Sequence, residues 1–109
     1  MIVNDDTVSK ALQYLSEDPH PVALARKDLM DAENRSKVAF AEALLSAEGP
    51  VEIRKATAET DGLYRDAKAV EAGALGELER HRARAKAADM IIEVWRSENA
   101  NARAAERVR

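Results

Sequence analysis

The sequence offers few side chains whose type and spacing suit metal binding. His81 follows Glu77 by four residues, one helical turn, so an imidazole and a carboxylate there could contribute to a metal site. The second histidine, His20, lies far along the chain between two prolines, and no suitably spaced carboxylate completes the set. A histidine that is partly buried or that caps a helix explains the same pattern. The sequence therefore predicts no metal site and no cofactor.

Acidic residues are abundant, but none of them form a pair that is placed for acid–base catalysis. Glu77 and Glu79 fall on different faces of a helix, and Asp61 and Asp66 are poorly spaced for joint action. The chain contains no cysteine nucleophile and no glycine-rich phosphate loop. These observations predict a protein that is not an enzyme and that has no small-molecule substrate.

Basic residues are concentrated near the C-terminus. Residues 80–109 carry 8 basic and 4 acidic side chains, whereas residues 1–79 carry 9 and 16. The candidate contacts to a nucleic acid or an acidic partner are Arg80, Arg82, Arg84, Lys86 and Arg96. At about 100° per residue, Arg80 and Arg84 point nearly opposite to Arg82 and Lys86. Nucleic-acid binding, head-to-tail binding of a second copy and a solvated helix face therefore all stay open.

The composition of the chain is that of long helices. Among the 109 residues there are 22 alanines and only four glycines, and 34% of the residues are charged. We predict an all-α fold: a long helical hairpin, similar to an antiparallel coiled coil, with a short N-terminal helix. The chain is expected to form one domain over residues 1–109, with helices at about 7–16, 19–47 and 51–105.

Three signals delimit these helices. The segment 18–21, Asp-Pro-His-Pro, ends the first helix and starts the second, because aspartate caps helices and proline fits a first turn. Gly49-Pro50 predicts a tight hairpin turn. At Thr60-Asp61-Gly62 the third helix either continues or ends and starts again behind a new cap. We favour continuity, because one glycine costs a helix only about 1 kcal/mol and the apolar stripe keeps its phase.

The second helix is expected to bury one stripe of residues at alternating spacings of three and four. The members of this stripe are Val22, Ala25, Leu29, Ala32, Ser36, Ala39 and Ala43. Four larger apolar residues widen the stripe near the helix end, namely Val38, Phe40, Leu44 and Leu45.

The third predicted helix is much longer than the second. The second helix, roughly 42 Å long, can cover the third only to about residue 79. The uncovered part contains the most apolar segment, residues 87–95, and the short first helix can shield only two or three turns of it. We therefore predict an antiparallel homodimer or a higher helical oligomer. The predicted self-interface consists of Leu78, His81, Ala85, Ala88, Ile91, Ile92 and Trp95. The alternative is a compact monomeric bundle with a break near Gly62.

A patch of small residues lies in the middle of the third helix. Its members are Ala69, Ala72, Gly73, Ala74 and Gly76. Small side chains allow another helix to approach closely, but an exposed stretch of helix has the same composition. The sequence does not separate these two interpretations.

The N-terminus lacks the basic region and apolar run of a signal peptide, and no apolar stretch approaches the roughly 18 residues of a membrane span. The absence of cysteine fits a reducing compartment. We therefore expect a cytoplasmic protein with no membrane partner.

Three segments resemble small helical proteins that are encoded by tailed bacteriophages and prophages. They are Tyr14-Leu15-Ser16-Glu17-Asp18-Pro19-His20-Pro21, Ala23-Leu24-Ala25-Arg26-Lys27 and Ile92-Glu93-Val94-Trp95-Arg96-Ser97. These motifs specify helix corners and packing, so the resemblance implies no active-site residue. It implies an accessory role in replication or recombination, or inhibition of a host defence by binding a host protein.

These features together predict a non-enzymatic helical interaction protein. It is expected to be a phage-type accessory factor that self-associates and binds a macromolecular partner, with another protein as the first candidate. The alternatives are a nucleic-acid-binding factor in replication or recombination and an inhibitor of a host defence protein.

Overall fold

The computed structural model describes residues 3–108, and the predicted all-α fold is confirmed over this range. The helices are α1 (Asp5–Leu15), α2 (Pro21–Ser46), α3 (Val51–Glu59) and α4 (Gly62–Val108). Within residues 3–108, none of them combines the length and the apolarity that crossing a membrane requires. Contacts divide the chain into two compact units, which we call the hairpin unit, Ala23–Glu79, and the terminal unit, Met1–Val22 with Arg80–Arg109.

Helices α1 and α2 both begin at a side chain that accepts a hydrogen bond from a free backbone N–H. The Asn4 Oδ1 accepts from the Thr7 N–H at 2.8 Å, an N-cap interaction. The His20 Nδ1 accepts from the Val22 N–H at 3.1 Å. The predicted corner between the two helices is therefore confirmed, but the side chain that caps α2 is the histidine and not Asp18.

The turn between α2 and α3 forms at the predicted glycine. Gly49 has a φ of 103°, in the left-handed region that residues with a Cβ rarely adopt. Beyond the turn, the Arg54 Nη2 donates a hydrogen bond to the Leu44 carbonyl oxygen at 3.2 Å. The rings of Phe40 and Tyr64 meet edge to face, with their centroids 5.2 Å apart. These contacts place α2 antiparallel to α3 and the first turns of α4, as the predicted hairpin requires.

The third predicted helix is interrupted. Helix α3 ends at Glu59 and α4 begins at Gly62, so the continuous helix that we favoured over residues 51–105 is wrong. The Asp61 Oδ2 accepts a hydrogen bond from the Tyr64 N–H at 3.1 Å, which caps the start of α4. Such a cap stabilises a helix by about 1 kcal/mol, and a glycine inside a helix costs about as much. Both local effects favour a new helix start at this point.

Small side chains form most of the buried core of the hairpin unit. Its buried residues are Ala25, Ala32, Ser36, Ala58 and Leu78. We call the first four the alanine seam. The prediction that Ala25, Ala32 and Ser36 face inward is confirmed. Short side chains bury little apolar area, and each Å² contributes only about 25 cal/mol. The hairpin unit therefore has little apolar stabilisation from its own core.

In the terminal unit, α1 packs on the C-terminal half of α4. The buried cluster between them consists of Ala11, Tyr14, Ala88 and Ile92, and Leu15, Ala85 and Ile91 pack against it. The short first helix therefore covers Ala88, Ile91 and Ile92 of the apolar segment of α4, whereas Met90 and Val94 stay exposed.

Candidate interaction surfaces

The predicted self-interface lies largely beneath α1 of the same chain. Three of its residues are buried, Leu78, Ala88 and Ile92, and four are half-buried, His81, Ala85, Ile91 and Trp95. Over residues 85–92 the apolar stripe packs against α1 within one chain. Self-association through this stretch would require α1 to move, and an interface with a second copy at these residues stays a prediction.

Tyr14 lies at the centre of the packing between α1 and α4. Its hydroxyl donates a hydrogen bond to the His81 carbonyl oxygen at 3.0 Å and lies 3.5 Å from the His81 Nδ1. The Arg84 guanidinium lies 4.2 Å from the ring centroid, a cation–π contact, and the His20 ring meets the tyrosine edge-on at 5.1 Å. The Arg80 Nη2 lies 3.3 Å from the His81 Nε2. Both histidines therefore lie at this packing site, together with Arg80 and Arg84, two of the predicted nucleic-acid contacts.

The predicted basic contacts all lie on the surface. Arg82, Lys86 and Arg96 are exposed, and the Arg96 Nη1 lies 3.1 Å from the Glu93 Oε1. Arg109, the last basic residue of the chain, lies outside the described residues. All five candidates are therefore exposed, and two of them, Arg80 and Arg84, also contact His81 or Tyr14.

The hairpin unit carries a second stripe, on the outer side of α2, that our sequence analysis missed. It consists of Met30, Asn34, Val38, Ala41 and Leu45, all of them exposed. We call it the outer α2 stripe. At about 100° per residue, its members lie within an arc of about 80° that faces away from the buried residues of α2. Val38 and Leu45 therefore do not widen the inward stripe of α2 as predicted: Val38 is 55% exposed and Leu45 is 80% exposed. The spacing of four, four, three and four residues could have revealed this stripe.

A groove of about 520 Å³ runs along the hairpin unit beside Phe40 and Tyr64. Within it, the Lys68 Nζ lies 2.8 Å from the Glu71 Oε2. This hydrogen bond raises the pKa of Lys68 and lowers the pKa of Glu71, and the Ser36 hydroxyl lowers the pKa of Glu71 further. Both shifts favour the charged forms, whereas a general acid or base works best with a pKa near the operating pH.

Metal ligands are not grouped in the described part of the chain. Within residues 3–108, no set of three or more His, Asp or Glu side chains is placed to hold a metal ion. His81 is half-buried beside Tyr14, and His20 caps α2. Each histidine therefore has a structural role of the kind that the sequence offered as the alternative to metal binding.

The small-residue patch on α4 is open to solvent at its two glycines. A Cβ added at Gly73 or at Gly76 would meet nothing within 4 Å, and Ala69 and Ala72 are exposed as well. In the isolated chain the patch is therefore an exposed stretch of helix at these four positions. Close approach of a helix from a second molecule stays open.

Replacing both glycines with alanine should stabilise the protein. We expect Gly73→Ala and Gly76→Ala each to raise the free energy of unfolding by about 0.5–1 kcal/mol, because glycine has the greater backbone freedom in the unfolded chain. Urea unfolding followed by circular dichroism measures this gain. The reverse change at a neighbouring position, Ala69→Gly, serves as the control and should destabilise by a similar amount. A loss of stability in the double alanine variant would show that the patch packs against a partner.

Comparisons with known proteins found no relative of this chain. No family model, curated protein or solved structure matches it. The resemblance to phage-encoded helical proteins stays an expectation from the sequence.

Proposed function

We propose that this chain is a non-enzymatic helical interaction protein that self-associates through the outer α2 stripe. The supporting observation is the distribution of side-chain size in the hairpin unit, whose buried core is mostly alanine. Nine large apolar side chains of this unit are roughly half exposed or more: Leu24, Met30, Val38, Leu45, Val51, Ile53, Leu63, Val70 and Leu75. Where such side chains line up into one contiguous patch, the patch is typical of a surface that binds another protein.

The outer α2 stripe is the most regular of these exposed surfaces, and a second copy of the chain is its best-suited partner. Its centre is flanked on one side by Arg35 and Glu42, which are seven residues apart. In an antiparallel two-fold pair centred near Val38, each Arg35 would lie beside the partner's Glu42, and the charges would be complementary. The proposed interface thus lies in the hairpin unit, whereas the interface predicted from the sequence lies in the segment that α1 covers.

The test is the solution mass of the full chain by light scattering coupled to size exclusion, at low and high salt. We expect a dimer or a larger species that survives high salt, since apolar contacts are not screened. Val38→Glu with Leu45→Glu should weaken association at least about 100-fold, because each of these side chains contributes about 1.5–3 kcal/mol when buried. The double variant should therefore run as a monomer.

A matched control is available on the other arm of the hairpin unit. Leu63 and Val70 are also a leucine and a valine seven residues apart, and they are 74% and 57% exposed. The variant Leu63→Glu with Val70→Glu should therefore keep the wild-type mass. Monomeric wild-type protein, or equal loss of association in both double variants, would exclude the outer α2 stripe as the specific self-interface. Circular dichroism checks that each variant stays helical.

The wider role that we propose is that of a phage-type accessory factor in the cytoplasm. The absence of cysteine suits a reducing compartment, and the resemblance of residues 14–21 to phage proteins supports the accessory role. A further protein partner would use exposed apolar residues that a second copy leaves uncovered, such as Ile53. Inhibition of a host defence protein is a special case of this binding.

A further inference from the structure

Three arginines form a row on one face of the last turns of α4. Arg96, Arg103 and Arg107 are separated by seven and four residues, and all three are exposed. At about 100° per residue they lie within about 40° of one another. The acidic residues of the same segment, Glu98 and Glu106, lie at least about 80° from the centre of this row. We call the row the arginine face.

The contacts that Arg96 and Arg103 make within residues 3–108 are weak. The ion pair between Arg96 and Glu93 is exposed on both sides, and such pairs contribute only about 0–1 kcal/mol. The Arg103 Nε donates to the Asn99 carbonyl oxygen at a long 3.4 Å. An anion could replace these contacts at little cost.

The residues around the arginine face favour a polyanion over a protein partner. From Arg96 to Arg107 every residue is charged, polar or alanine. Protein–protein interfaces are enriched at their centre in aromatic residues and methionine, whereas protein–DNA interfaces are more polar and more positively charged. Guanidinium groups also match phosphate oxygens in geometry, since each can donate two parallel hydrogen bonds.

The same residues favour a duplex over a single strand. Proteins that bind single strands stack the bases on aromatic side chains, and none occurs between Arg96 and Arg107. Trp95, the nearest aromatic residue, is half-buried. Contacts to the duplex backbone need no base stacking and carry no sequence preference. We infer that the arginine face binds the phosphate backbone of a nucleic-acid duplex.

This site differs from the five basic residues that the sequence predicts. Arg80 and Arg84 adjoin the packing around Tyr14 and are not part of the arginine face. The arginine face combines Arg96 with Arg103 and Arg107. The inference goes beyond the proposed function, because the arginine face belongs to the terminal unit and the outer α2 stripe belongs to the hairpin unit. Either proposal can fail without the other.

The test is fluorescence anisotropy of a labelled DNA duplex of about 30 base pairs with the full chain, over about 50–200 mM salt. Three phosphate contacts predict a slope of log K against log salt of about −2.7, which is an affinity loss of about 40-fold over that range. The variant Arg96→Gln, Arg103→Gln, Arg107→Gln should bind at least about 10-fold more weakly at low salt, with a slope near zero.

A control variant with the same net charge separates local contacts from the field of the whole protein. Arg26→Gln, Lys55→Gln, Arg65→Gln removes three exposed positive charges from the hairpin unit and should keep both the slope and the affinity. Equal losses in the two triple variants would overturn the inference, as would tighter binding of a single strand or no duplex binding at low salt. A change of solution mass in the first variant without duplex binding would assign the arginine face to a protein contact instead.

Discussion

Tyr14→Ala should release α1 from α4 and lower the free energy of unfolding of the terminal unit by about 3–5 kcal/mol. Tyr14 is only 2% exposed, so truncation leaves a cavity in the buried cluster between the two helices. It also removes the hydrogen bond to the His81 carbonyl oxygen and the contact with Arg84. Helix α1 has 11 residues, too few for a stable isolated helix in water. We therefore expect α1 to unfold when it is no longer docked.

Amide hydrogen exchange resolved by residue is the appropriate measurement for this variant. Protection should fall along Asp5–Leu15 while the hairpin unit keeps its protection. Tyr14→Phe is the control, because it keeps the ring and removes only the hydroxyl group. It should cost about 1 kcal/mol and leave α1 helical. Full protection of α1 in the alanine variant would show that other residues hold this helix in place.

The second large effect is expected at Leu78, the one large side chain in the buried core of the hairpin unit. It is 2% exposed, and Leu78→Ala should lower the free energy of unfolding by about 2–5 kcal/mol. Leu75→Ala is a close control on the same helix, because Leu75 is 48% exposed. Its effect should stay below about 1 kcal/mol. Urea unfolding of both variants measures the difference.

This experiment also tests the predicted role of Leu78 in a self-interface. If the residue acts within one chain, as its burial indicates, the loss of stability should not depend on protein concentration. If it acted mainly between two copies, the loss would vary with concentration, because dissociation would be coupled to unfolding. A concentration-dependent loss would therefore restore Leu78 to the interface between copies.

Local signals predict a helix boundary well where the chemistry of a single residue determines it. Asn4 caps α1 and Gly49 adopts a positive φ at the hairpin turn, and both roles follow from the residue type alone. The break before Gly62 is harder to predict, because the apolar stripe continues across it. There, the cap from Asp61 and the cost of the glycine are each about 1 kcal/mol, too small for the sequence pattern to decide.

The surfaces are less predictable than the helices, because they depend on residues far apart in the sequence. Helix α2 has two stripes with helical spacing, one mostly of alanine and one with Met30, Val38 and Leu45. A hydrophobicity argument places the larger residues inside, but the structure buries the small ones. The cation–π contact between Tyr14 and Arg84 joins residues that are far apart in the sequence, and no local pattern contains it.

The alanine seam has a consequence for how the two arms of the hairpin unit are aligned along their axes. Methyl groups give a helix surface little relief, so a seam of alanines resists sliding less than interlocking large side chains do. Two contacts oppose sliding near the turn, namely the edge-to-face pair of Phe40 and Tyr64 and the hydrogen bond from Arg54 to the Leu44 carbonyl oxygen. Both lie in the half of the hairpin nearest its turn. The arms are therefore locked in register at that end, and the alanine seam follows the alignment that these contacts impose.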